Sequence, residues 1–133
     1  MTPNQQKNLI KKAVAAMRHS YAPYSRFRVG AALLTREGRV FQGCNVENAS
    51  YGLTLCAERT ALGAAISAGH RHFTALAVAS SGQTVSMPCG ACLQTLAEFC
   101  RPDFVIVTAT ARNPTHPAVL TLKDLLPKAF QLK

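Results

Sequence analysis

Three cysteines and one glutamate constrain this chain more than any other feature. Cys56-Ala57-Glu58 is followed, 33 residues after Cys56, by Pro88-Cys89-Gly90-Ala91-Cys92. A lone Cys-x-x-Cys serves redox, structural-zinc and iron–sulfur sites alike. A Cys-x-Glu upstream of a Pro-Cys-x-x-Cys is far more specific, because it supplies three soft metal donors and a carboxylate left over to move protons. Any fold open to this chain must bring Cys56, Cys89 and Cys92 to one point.

Metal binding needs thiolates, and a free cysteine is mostly protonated at neutral pH. Helix N-termini lower that cost through unpaired N–H groups and the positive end of the helix dipole. The pattern predicts helices over about Cys56–Ala68 and Pro88–Cys100, with Cys56 and Cys89 both in first turns. Cys89 and Cys92, three apart, share a helical face. Cys56 and Glu58, two apart, diverge in mid-helix and converge only beyond a helix end. The expected site is therefore a zinc ion between two helix N-termini. Three protein ligands leave the fourth tetrahedral position for water, as in a catalytic rather than a structural zinc. Glu58 is then the general acid–base, the arrangement used by zinc deaminases. Three thiolates overcompensate Zn²⁺, and Arg59 is placed to offset the excess by hydrogen bonding to sulfur.

Helical periodicity covers Pro3 to Met17, with Leu9, Ile10, Ala13, Val14 and Met17 in register and Pro3 at an early helical position. Arg28–Thr35 and Arg39–Cys44 read as strands of a hairpin across Arg36-Glu37-Gly38. Asn45 to Leu55 reads as a loop, and Gly69 stands just past the end of the Cys56 helix. Phe73–Ser80 and Phe104–Thr108 are apolar strands. Asn113-Pro114 and His116-Pro117 break the chain before a short strand near Val119 and a short helix over Leu122–Leu126, stopped by Pro127. The result is an α/β fold in a single domain over 1–133: a mixed β-sheet of about five strands sandwiched by helices.

Composition narrows the setting. No apolar run approaches the ~20 residues of a membrane span, and Met1–Lys12 is polar and basic without the apolar core of a secretory signal. Five cysteines, three of them in the motif, suit a reducing cytoplasm better than a disulfide framework, with Cys44 and Cys100 as buried thiols. The formal net charge is +9. Its lysines and arginines are scattered, with no run of five or more and no aromatic interleaving, which favours a solvated surface over a nucleic-acid partner.

Beyond the zinc motif, Tyr21-Ala22-Pro23-Tyr24-Ser25, Gly43-Cys44-Asn45-Val46-Glu47-Asn48-Ala49-Ser50-Tyr51, Cys56-Ala57-Glu58-Arg59-Thr60-Ala61 and Leu125-Leu126-Pro127 complete a pattern running nearly the whole chain. With these blocks the chain resembles the small, homotetrameric cytidine deaminases. The resemblance implies one Zn²⁺ per subunit, a nucleoside substrate, and deamination of cytidine and 2′-deoxycytidine in pyrimidine salvage. It implies that Phe27 packs on the pyrimidine, that Asn45 and Glu47 bind the ribose hydroxyls, and that Ala57 also touches substrate. Ala49, Tyr51 and Phe130 would complete a neighbouring subunit's site. Gln94 is retained behind the thiols with Arg59. The family usually carries arginine where Leu93 stands, which leaves Arg59 as the main compensator for the thiolates. Alternatives remain open at this point: an aminonucleoside-antibiotic deaminase of the blasticidin type, a polynucleotide-editing deaminase, or a structural zinc module. The last has no use for Glu58.

Overall fold

The computed structural model describes residues 1–132. In chain order the elements are α1 (Pro3–Met17), β1 (Val29–Thr35), β2 (Val40–Cys44), a 3-10 turn (Tyr51–Leu53), α2 (Ala57–Ser67), β3 (Phe73–Ser80), α3 (Gly90–Phe99), β4 (Val105–Thr110), β5 (Asn113–Thr121) and α4 (Leu122–Leu125). The strands form one five-stranded sheet in the order β2-β1-β3-β4-β5. Only the β3–β4 pair is parallel; β1–β2, β1–β3 and β4–β5 are antiparallel. The mixed sheet flanked by helices matches the sequence expectation.

Side-chain alternation along the strands sorts the molecule into three layers. Ala75, Ala77 and Ala79 of β3 face α1, joining Ala32, Val107 and Ala109 against Leu9, Ile10 and Ala13. Leu76 and Val78 face the other way, joining Leu33 and Ile106 against Ala61, Leu62 and Ala65 of α2 and Leu93 and Leu96 of α3. The alanine face lets α1 sit close, while the larger residues fill the space beneath two helices. A capping box starts α1: Thr2 Oγ1 accepts from Gln5 N at 3.1 Å, and Thr2 N donates to Gln5 Oε1 at 2.8 Å.

Two helix starts fall later than expected. Cys56 and Cys89 are N-cap residues with extended backbone (ψ 151° and 168°), not members of first turns, and Pro88 lies outside α3. A half-in cap position has non-helical dihedrals by definition. Gly69 (φ +96°) does follow α2 in the left-handed conformation that glycine tolerates. The prolines at 114 and 117 do not break the chain as expected. They lie inside β5, a nine-residue edge strand paired on one side only, where a missing N–H can face outward without costing a ladder bond. Among the described residues no helix is long and apolar enough to cross a membrane.

Close approach of α2 to β2 depends on Gly43, where an added Cβ would overlap the backbone at Ala61 N and Ala57 O. Gly43→Ala should therefore cost about 1–3 kcal/mol by overpacking, read as a lower midpoint of chemical denaturation. An unchanged midpoint would show that α2 has room to shift.

Candidate active site

Chain direction sends two helix starts to one edge of the sheet. β2 and β3 run the same way, each antiparallel to β1, so both finish at the same end. The loop after β2 leads into α2 and the segment after β3 into α3. Helix caps are ordinarily Ser, Thr, Asp or Asn, and losing such a cap costs about 1 kcal/mol. Here both caps are cysteine, and neither side chain makes the capping bond to its own helix backbone. The thiols are thereby free to face each other. Cys56 Sγ lies 4.0 Å from Cys89 Sγ, Cys89 Sγ lies 3.6 Å from Cys92 Sγ, and the three donor atoms all fall within 4.8 Å of one another. Among the described residues this is the only group of three or more His, Cys, Asp or Glu side chains placed to hold a metal. Three soft thiol donors from two rigid helix ends fit zinc.

Glu58 lies in the first turn of α2, 5% exposed, and its carboxylate is not part of the thiol cluster. Burial pushes its pKa above the ordinary carboxylate value, partly opposed by its own backbone N–H. Such a group holds and releases a proton closer to neutrality than a free glutamate does. Arg59 turns back along the helix, its Nη2 donating to Cys56 Sγ at 3.4 Å, while its Nε is buried without a partner among the described residues. In the absence of a metal the thiols divide their protons unequally. Proton sharing with Cys92, reinforced by the Arg59 guanidinium and Cys89, pulls Cys56 down to about 5 against its burial. The same pairing, with burial, holds Cys92 well above the usual thiol range.

The loop after β2 is fastened beside this cluster. Val46 and Leu55 exchange two backbone hydrogen bonds of 2.9 Å directly ahead of Cys56. Asn45, 8% exposed, spends its amide on the backbone: Oδ1 accepts from Val29 N at 2.9 Å and Nδ2 donates to Phe27 O at 2.8 Å. Glu47 accepts from Tyr24 N (2.9 Å), Ser25 N (3.2 Å) and the Ser25 hydroxyl. That hydroxyl, with the two N–H groups, holds its carboxyl below the ordinary value. Ser25 Oγ also accepts from Phe27 N at 3.0 Å. Asn45 and Glu47 thus brace the turn that carries Phe27, and a cleft lined by Tyr24, Ser25, Glu47, Asn48, Tyr51 and Thr54 opens beside it.

The remaining expected residues divide by exposure. Ala57 is fully buried at the start of α2, whereas Ala49 and Tyr51 (76% exposed) stand on the loop surface. Phe130 is 70% exposed, yet its backbone is held by Gln94: Nε2 donates to Phe130 O at 3.0 Å and Oε1 accepts from Phe130 N at 3.3 Å. Gln94 therefore fastens the C-terminal segment through both atoms of its amide. Sequence reasoning missed Thr108, fully buried on β4, whose Oγ1 donates to Ser86 O at 2.7 Å and pins the segment leading to Cys89. It also missed Ser81, whose Oγ accepts from Arg28 N at 3.0 Å beside Phe27. A threonine in an apolar strand carries no signal of such a bond.

Titration of zinc-stripped protein, followed by thiolate ultraviolet absorbance, should show one thiolate forming near pH 5. Removing the guanidinium donor in Arg59→Gln should move that midpoint upward. The same midpoint in the variant would mean that the neighbouring thiols alone depress Cys56.

The family model of the cytidine and deoxycytidylate deaminase zinc-binding region matches residues 3–108. A cytidine deaminase of Halalkalibacterium halodurans is 48% identical over 122 residues, covering 92% of this chain and 91% of that one. The crystal structure of cytidine deaminase from Burkholderia pseudomallei, 48% identical, matches with a TM-score of 0.89 over 98% of this chain and 100% of that one. The enzyme from Mycobacterium tuberculosis, 46% identical, gives 0.80 over 94% and 96%. The thiol triad at two helix starts, the buried carboxyl beside it and these likenesses agree: the chain belongs to the cytidine and deoxycytidylate deaminase family of zinc proteins.

Proposed function

We propose that the protein hydrolyses cytidine and 2′-deoxycytidine to uridine and 2′-deoxyuridine, consuming one water and releasing one ammonia per turnover. The observation that carries this reading is the meeting of Cys56, Cys89 and Cys92 beside the buried carboxyl of Glu58 in a chain of this family. Cys56, Cys89 and Cys92 hold one zinc per subunit, and a zinc ion there supplies the Lewis acidity that makes water nucleophilic near neutral pH. Glu58 takes one proton from the attacking water and passes it to the ring nitrogen, then takes the second from the hydroxyl left on the reacting carbon and passes it to the amine as ammonia departs; its raised pKa suits both directions. Arg59 offsets the excess negative charge of the thiolates, which its bond to Cys56 supports.

Substrate recognition falls to the braced turn and loop. Phe27 packs on the pyrimidine, with Ala57 lining the ring's surroundings. Asn45 and Glu47 bind the ribose hydroxyls while holding the Phe27 turn through the bonds already described. Ala49, Tyr51 and Phe130 complete the site of a neighbouring subunit in a homotetramer. Support comes from the exposure of Tyr51, Leu53 and Phe130 (76%, 66% and 70%), large apolar side chains that a lone subunit leaves in water. Gln94, holding the backbone at Phe130, sets the reach of that aromatic. The protein acts in cytoplasmic pyrimidine salvage.

Purified, zinc-loaded protein should lower the ultraviolet absorbance of cytidine solutions. Glu58→Gln should reduce kcat by ~10²–10⁴ with zinc content unchanged. Silence of the native, assembled protein on both cytidine and deoxycytidine would overturn the assignment and direct the same assay to blasticidin-type antibiotics and cytosine-containing oligonucleotides.

A further inference from the structure

Charge is distributed unevenly along this chain. The first 36 residues contain seven cations (Lys7, Lys11, Lys12, Arg18, Arg26, Arg28 and Arg36) and no acid; Glu37 is the first carboxylate. Four of the seven lie on α1 or its C-cap, and all four are exposed. Lysines that read as scattered in sequence become aligned on the helix. At 100° per residue Lys7, Lys11 and Arg18 fall within a narrow arc, since Arg18 keeps helical backbone (φ −61°, ψ −25°). They are separated by about 6 Å and about 10 Å along the axis at 1.5 Å rise per residue. Lys12 widens the stripe to one side. Asn4, Gln5 and Asn8 complete the exposed surface of the helix. The two edge strands β2 and β5 contain no acidic residue either, and among the described residues no ion pair engages Lys7, Lys11, Lys12 or Arg18.

We propose that the exposed face of α1 binds the sugar–phosphate backbone of duplex nucleic acid, without reading sequence. Charge complementarity selects a polyanion, and the other side chains select the kind. No large apolar residue is exposed on α1, so the face lacks the wedge that an anionic membrane surface would bury. It also lacks the aromatic or aliphatic anchor on which protein–protein interfaces depend, and the aromatic platform on which single strands stack. Lysine and arginine at about 16 Å overall, flanked by amides, match several phosphates of one strand at ~3.4 Å of axial advance each. The face lies across the sheet from α2 and α3, because α1 packs on Ala32, Ala75, Ala77 and Ala79 while those helices pack on Leu33, Leu76 and Val78. Duplex bound there leaves the thiol cluster uncovered.

The test is fluorescence anisotropy of a short labelled duplex titrated with the full chain. Neutralising about four phosphates predicts a fall in affinity of roughly a hundredfold between about 50 and 200 mM salt. The combined variant Lys7→Gln, Lys11→Gln, Lys12→Gln and Arg18→Gln should lose most of the binding and of the salt slope, with melting temperature and cytidine turnover kept. The control Lys123→Gln with Lys128→Gln, on the α3 side of the sheet, should keep duplex affinity within about twofold. Undiminished binding by the α1 variant overturns the proposal, as does a native affinity indifferent to salt. Binding to phosphatidylserine vesicles without binding to duplex overturns it in favour of a membrane surface.

Discussion

Everything in this molecule is arranged around the requirement that three thiols from two helices come within 4.8 Å of one another. Helices of 11 and 10 residues meet that requirement only if both begin at the same sheet edge and pack on the same face. The strand directions supply the common edge, and the large residues Leu33, Leu76, Val78 and Ile106 supply the common face. Gly43 then sets how close α2 comes, since its missing side chain is where the α2 backbone passes. The cysteines at the two cap positions forgo the usual capping bond. What stability that forgoes is recovered when a metal joins the two helix ends, because binding to the native state alone adds to folding free energy.

The support around the cluster is built from backbone anchors more than from side-chain pairs. Thr108 reaches from β4 to the carbonyl of Ser86, three residues before Cys89. Val46 and Leu55 bind each other immediately before Cys56. Asn45 and Glu47 hold the turn from Tyr24 to Phe27 through its own N–H and C=O groups. Each segment that carries a site residue is thus fixed within a few residues of it. A catalytic geometry gains from such fixing, because a small displacement of a reacting group costs a large factor in rate. The left-handed backbone of Arg26 (φ 58°), unusual for a residue with a Cβ, lies in the same braced turn.

Much of this was legible in the chain itself, for identifiable reasons. α1, the hairpin and β3 follow strong periodicity, and their observed ranges differ from expectation by at most a residue. The thiol cluster was legible because metal chemistry demands few residue types in a narrow spacing. β5 was not, because Asn-Pro and His-Pro signal a break locally, whereas an edge strand exempts proline by its tertiary position. The cap positions of Cys56 and Cys89 were missed because a cysteine carries no capping preference. Gln94 holds the backbone at Phe130, a partner 36 residues away that no local pattern encodes.

At Leu93 the resemblance implies a different charge balance behind the thiols. Standing where the resembled family usually has arginine, Leu93 is 6% exposed and packed in the core beneath α2 and α3. A cation at that depth would need partners to offset desolvation, and an apolar residue needs none. With leucine there, the groups placed near the thiols are the two helix N-termini and Arg59. Arg59 is held to Cys56 by one nitrogen, and its buried Nε has no partner among the described residues. A guanidinium bonded to one thiol and holding a spare buried donor leaves hydrogen-bonding capacity unused in this metal-free arrangement.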